Sequence, residues 1–199
     1  DLYLFVLTHD PKTSPQAMYH AHLKYGEEVD AWAKSVGIKT SYKGSRDPDR
    51  KLRIGFVSGD FVRHPVSHFF IPFWDAMDRE RFDLIGYNAS PVRDDITDYL
   101  ESGSSLWRDI DDISDTELAD QIYNDNIDIL IDLSGHTTYC RLPMFGLRPA
   151  PVQMTWIGYP ATTGMKAIDY RIVPDTILNV PKMQEQFSEH RSEERRVGK

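Results

Sequence analysis

The 199-residue sequence predicts an α/β fold, a doubly wound parallel sheet with flanking helices. Two observations carry that expectation. Short apolar runs alternate with segments of helical periodicity, which is the pattern of right-handed crossovers between parallel strands. The run Ile127–Leu133 also reads as a strand buried on both sides, as a sheet between two helical layers requires.

The first element is a helix over Ser14–Val36. Ser14 and Pro15 form an N-cap and first-position pair, and Tyr19, Leu23, Gly26, Val29, Ala33 and Val36 recur at helical spacing before a stop at Gly37. Residues 39–51 are polar and rich in turn formers, the composition of a linker or exposed loop. Strands follow at 52–57, 82–88, 127–133, 152–158 and 169–173. Between them the expected helices are Pro65–Met77, Asp94–Gly103, Ser114–Asn126 and Thr138–Leu147. The clearest of these opens at Ser114, with Glu117 three positions later as a capping-box partner and Leu118, Ile122 and Ile127 facing inward.

Composition narrows the function. Hydrophobic residues make up 40% and charged residues 27%, the balance of a soluble globular chain. A net charge of −8 gives no basic footprint for nucleic acid. No run reaches the length of a membrane span, and a single cysteine, Cys140, fits a reducing compartment, so the expected location is cytoplasmic. The first residue is not methionine, so it is read as lying inside a longer gene product.

In an open parallel sheet, ligands sit beyond the carboxyl ends of the strands. That rule selects Ser58 to His64, Ser90, Ser134 to Thr138 and Gly158 to Gly164. The first of these turns holds Gly59 alone, so it lacks the G-x-G-x-x-G fingerprint of a dinucleotide site, which also argues against an epimerase. His64 and His68 have the spacing of a zinc helix. Pro65, however, belongs at the first helical position, which leaves His64 outside the helix and off the face of His68. His68 is read as a packed or solvated helix-face residue. His64 has a crevice position and a side chain suited to proton transfer, and on position alone a structural role is equally open. His136, Thr137 and Thr138 offer donors and acceptors on an equivalent loop; a Thr N-cap beside a surface histidine is the other reading.

Three blocks carry a resemblance: RIGFVSGDFVRHPVSHF, IDILIDLSGHTTYCRLPMFGLRPAPVQMTWIGYPATTG and AIDYRIVPD. Over about Leu2 to Glu189 the chain resembles the N-terminal catalytic lobe of family 41 glycosyltransferases, a group that includes protein O-linked N-acetylglucosamine transferases and SPINDLY-like enzymes. The resemblance implies one Rossmann-like lobe of a two-lobe GT-B enzyme, residues 51–189. Residues 1–50 would then be a helical segment and linker following tetratricopeptide repeats. It also implies inverting transfer from UDP-N-acetylglucosamine to a Ser or Thr hydroxyl of an acceptor protein, without metal or other cofactor. His64 matches the histidine of the family's D-F-x-x-H-P block, proposed as the acceptor-side base. Gly135, His136, Thr137, Gly158, Tyr159 and Pro160 match blocks that shape the acceptor and sugar pocket. Asp120 lies near a second polar family position but reads as mid-helix and solvent-facing.

Two departures stand out. The partner C-terminal lobe, which in the family supplies most nucleotide contacts and the cations for the departing diphosphate, is absent, so the isolated chain is expected to be inactive. Residues 190–199 are charged and are expected to be disordered or foreign to the native reading frame. The alternative function is a non-catalytic binding or scaffolding module on the same fold.

Overall fold

The computed structural model describes residues 2–45, 47, 49–174 and 183–191. Helices α1 (Leu2–Leu7) and α2 (Pro15–Val36) come first. An alternating series follows: β1 (Leu52–Ser58), α3 (Pro65–Ala76), β2 (Phe82–Asn88), α4 (Asp95–Ser102), β3 (Leu106–Asp109), α5 (Asp115–Asn124), β4 (Ile129–Asp132), α6 (Leu142–Gly146), β5 (Val152–Trp156) and β6 (Tyr170–Ile172). A 3-10 turn at Met183–Gln186 leads to the two-residue strand β7 (His190–Arg191).

The strand order is β3-β2-β1-β4-β5-β6-β7 and every pairing is parallel. This is the Rossmann-like order, with the direction of winding reversing between β1 and β4. Alternation along β1 shows why both faces are apolar. Ile54 and Phe56 join Phe70, Trp74 and Leu100 of α3 and α4 on one face. Val57 joins Val29 and Ala33 of α2, Leu118 and Ile122 of α5, and Phe145 of α6 on the other. Among the described residues no helix is long and apolar enough to cross a membrane.

Several boundaries differ from the sequence expectation for local reasons. The helix expected at Thr138–Leu147 begins only at Leu142, because Tyr139 is left-handed (φ 58°) and Pro143 belongs to a first turn. The strand expected to run to 158 stops at Trp156, where Ile157 turns left-handed (φ 65°). β3 was not expected, since four residues after the Gly103 turn carry no alternation to recognise. At the start of the charged tail, His190–Arg191 pair with β6, with His190 N–H donating to Asp169 O at 3.0 Å. Residues 192–199 lie outside the described residues. The capping box at Ser114 and Glu117 is formed as expected.

The polar stretch after α2 is pinned to the amino edge of the sheet. Lys39 N–H donates to Leu147 O at 3.0 Å, Tyr42 OH to Arg148 O at 3.0 Å, and Lys39 Nζ reaches Asp120 at 2.7 Å. Arg50 grips Asp128 with two hydrogen bonds of 2.7 and 2.5 Å, and Arg53 N–H adds a third at 2.8 Å. Burial alone would raise the Asp128 carboxyl, but the Arg50 and Arg53 hydrogen bonds and charges outweigh it and hold the carboxyl below its ordinary value. A depressed folded pKa stabilises above the unfolded pKa and is lost as pH falls through the folded one. Asp128→Asn is therefore expected to cost about 2 kcal/mol near neutrality, a value discounted for partial solvent screening, and nearly nothing in acid. Urea midpoints of the two proteins measured from neutral to acid pH should converge; a constant gap would rule out the ion pair as its source.

Candidate functional site

The winding reversal separates the loops after β1 and β4, and these two loops, with Gly158 after β5, build a cleft of about 530 Å³ lined by Asp60, His64, His136, Thr137, Thr138 and Gly158, with Leu2 and Phe5 of α1 at its edge. A cavity of similar size, about 520 Å³, opens at the opposite, amino ends of the strands between residues 40–45 and Tyr123. There the Arg50 guanidinium is already engaged by Asp128, so the carboxyl-end cleft is the candidate for chemistry.

The β1 loop is held rigidly. Asp60 N–H donates to Ser58 Oγ at 2.9 Å, Ser67 Oγ to Asp60 O at 2.5 Å, and Thr97 Oγ1 to Phe61 O at 2.7 Å. Its last residue, His64, is the N-cap of α3 with Pro65 at the first helical position. His64 Nδ1 accepts from Val66 N–H at 3.3 Å and lies 3.6 Å from Asp60 Oδ1. The His64 side chain is 44% exposed, toward the cleft, whereas Asp60 is 15% exposed. Burial pushes the Asp60 carboxyl up, and the neighbouring His64 opposes that. His68 is exposed on α3, and among the described residues no group of three His, Cys, Asp or Glu side chains could hold a metal.

The β4 loop is organised by Asp132, which the sequence reading passed over. Fully buried at the end of β4, its carboxylate accepts from Ser134 N–H at 3.1 Å, Gly135 N–H at 3.0 Å and Thr155 Oγ1 at 2.8 Å. Burial raises its pKa and these hydrogen bonds oppose the rise. A lone acid closing an apolar strand just before Ser-Gly was the signal for it. Ser134 Oγ in turn accepts from Gly59 N–H at 3.2 Å, tying the two loops together.

The remaining expected site residues divide. Gly135 is left-handed (φ 57°), and a Cβ there would fall 2.2 Å from Tyr159 Cβ, so it packs the loop. Gly158 lines the cleft, and its bare Cα lets the backbone pass Leu133 O, which a Cβ would approach to 1.8 Å. Thr137 lines the cleft while its hydroxyl donates to Ser134 O at 2.9 Å. His136 is not a surface histidine: it is 1% exposed, its Nε2 lies 2.9 Å from Thr163 O, and burial pushes its pKa down to about 4. Tyr159 points away from the cleft into α2, where its hydroxyl meets His22 Nε2 at 2.7 Å and donates to Leu4 O at 3.2 Å. Pro160 is exposed and lines a separate cavity of about 240 Å³ with Tyr19 and Phe187. Asp120 is 65% exposed and meets Lys39.

The loop bearing Tyr159 is clamped from the other side. Buried Glu189 accepts from Thr163 N–H at 2.6 Å and Thr162 Oγ1 at 2.8 Å, and Arg171 donates to Ala161 O and Tyr159 O. The cleft is thus a rigid recess of mixed polar and apolar lining with one exposed imidazole.

Comparison with known proteins adds to this geometry. The chain is 35% identical over 190 residues to a Petunia hybrida protein named probable UDP-N-acetylglucosamine-peptide N-acetylglucosaminyltransferase SPINDLY, covering 94% of this chain and 20% of that protein. It is 36% identical over 143 residues to the UDP-N-acetylglucosamine-peptide N-acetylglucosaminyltransferase of Caenorhabditis elegans, covering 70% of this chain and 12% of the relative. The chain spans about a fifth or less of the length of these curated relatives. A solved O-GlcNAc transferase mutant from Thermobaculum terrenum superposes with a TM-score of 0.86 at 35% identity, covering 95% of this chain and 36% of that one. The sequence profile of glycosyl transferase family 41 matches residues 3–193, and the chain belongs to that family.

Proposed function

We propose that this chain is the N-terminal lobe of a cytoplasmic, inverting protein O-glycosyltransferase of the GT-B type, acting from UDP-N-acetylglucosamine on Ser or Thr hydroxyls of acceptor proteins. The observation that carries the reading is the cleft at the β1/β4 reversal. It combines a rigid lining that carries threonine hydroxyls and an acid with an exposed His64, and in this reading the hydroxyl and the sugar meet beside that imidazole. The names of the similar proteins supply the donor and the peptide acceptor. Residues 51–189 form the catalytic layer in this reading, and residues 1–50 lead into it from a preceding repeat region. The donor needs no metal or cofactor here.

Leaving-group chemistry sets the division of labour. A departing nucleoside diphosphate needs fixed positive charge, and the described residues lining this cleft include no Lys or Arg. The opposing lobe must bring it. Calorimetric titration of this chain with UDP and with UDP-N-acetylglucosamine is therefore expected to show no binding, and transfer to a Ser-containing peptide to be absent. A polypeptide that adds the C-terminal lobe should gain both. Tight binding by this chain alone would overturn that division.

A further inference from the structure

His64 is more constrained than an exposed histidine usually is, and the constraint lies on its inner nitrogen. A neutral imidazole has one N–H and one lone pair, on different nitrogens. His64 stands where an N-cap oxygen normally stands, and its Nδ1 accepts the Val66 N–H at 3.3 Å. Pro65 has no N–H, so Val66 carries the first donor of α3, and Val66 is buried. Acceptance at Nδ1 requires its lone pair, which puts the proton of the neutral ring on Nε2. A general base acting through Nε2 needs the opposite tautomer, with Nδ1–H held by a carboxylate. The carboxylate in place to hold it is Asp60, and at 3.6 Å it lies outside hydrogen-bond range. Arg63, the neighbouring charge, turns its guanidinium to Asp95, while its backbone N–H donates to Asp94.

Building on the transferase reading, we propose that His64 acts as a hydrogen-bond donor through Nε2–H to a ligand oxygen, and not as the base that removes the acceptor proton. Among the described residues Nε2 has no hydrogen-bond partner, and the ring is exposed to the cleft, so its partner is supplied by the ligand. The chemical class that fits is an oxygen with a free lone pair, on the acceptor hydroxyl or the nucleotide sugar. The helix cap is then a device that selects the tautomer, and it does so before any ligand arrives.

The test has a spectroscopic arm that does not depend on turnover. Ring nitrogen–proton correlation spectra of this chain, recorded above the imidazole titration, should show His64 with a pyrrole-type Nε2 and a pyridine-type Nδ1. The reverse assignment overturns the proposal. Asp60→Asn should leave that pattern in place; a tautomer that changes with Asp60 would mean the carboxylate sets it. The kinetic arm uses the polypeptide with both lobes. His64→Gln offers an amide N–H near the position of Nε2 and should stay within about tenfold of the unsubstituted enzyme, whereas His64→Ala should not. Gln falling to the level of Ala overturns the donor role. Absence of transfer by the unsubstituted two-lobe polypeptide would refute the transferase reading and the role with it, while the ring spectra would still decide the tautomer.

Discussion

His64→Ala, in a polypeptide that carries both lobes, is expected to lower kcat by about 10²–10³-fold, the usual cost of removing one fixed donor from a reacting centre. Binding of UDP should change little, because the described cleft around His64 has no cation for a diphosphate. The substitution also removes the cap of α3, since Ala cannot accept the Val66 N–H. That costs about 1 kcal/mol, too little to unfold a domain. Thermal melting beside the kinetics separates the two effects: a small fall in Tm with a large fall in kcat is the expected pair. An unchanged kcat would reduce His64 to a helix cap.

Gly26→Ala is expected to have the largest effect on stability. In an exposed helix interior this substitution stabilises by about 1 kcal/mol, because alanine has the better helix propensity. Here the sign reverses. A Cβ on Gly26 would fall 1.9 Å from Gly164 O and 2.7 Å from its carbonyl carbon, both backbone atoms with no rotamer to yield. Gly164 is itself left-handed (φ 77°) and passes within a bond length or so of His22 O if given a Cβ, at 2.0 Å. Helix α2 therefore docks on Gly164 and Met165 by backbone contact, and separating the two should cost more than about 4 kcal/mol. Denaturant unfolding measures it; a Gly26→Ala protein as stable as the parent would mean that α2 does not seat there.

Much of this was readable in the chain, and the reasons are local. Ser114 and Glu117 announce a helix start because both partners of the cap lie within one turn. Pro65 placed His64 just outside α3, because proline fits a first turn and its predecessor does not. The cleft loops followed from the strand alternation. What resisted reading depends on partners distant in sequence. Tyr159 and Gly158 are adjacent, yet one turns into α2 and the other faces the cleft, a choice made by His22, 137 residues away from Tyr159. His22 itself belongs to the buried stripe with Gly26, Val29 and Ala33, one position from the expected Leu23. Burial pushes its pKa down. Asp132 escaped notice because its partners are backbone N–H groups and one threonine, and the hydrogen-bond partners of a buried acid are invisible until the loop is folded.

The polar stretch between α2 and β1 has a mechanical consequence. Its composition suggests slack, yet Lys39, Tyr42 and Arg50 fasten it to Asp120, Arg148 and Asp128 along one sheet edge. With α2 seated on the far side, both ends of the segment are fixed to the same body. A force arriving through α2 would reach the floor of the cleft without being absorbed on the way. If a longer polypeptide flexes as it works, its hinge lies elsewhere than in the described residues of this segment, which behave as a strut.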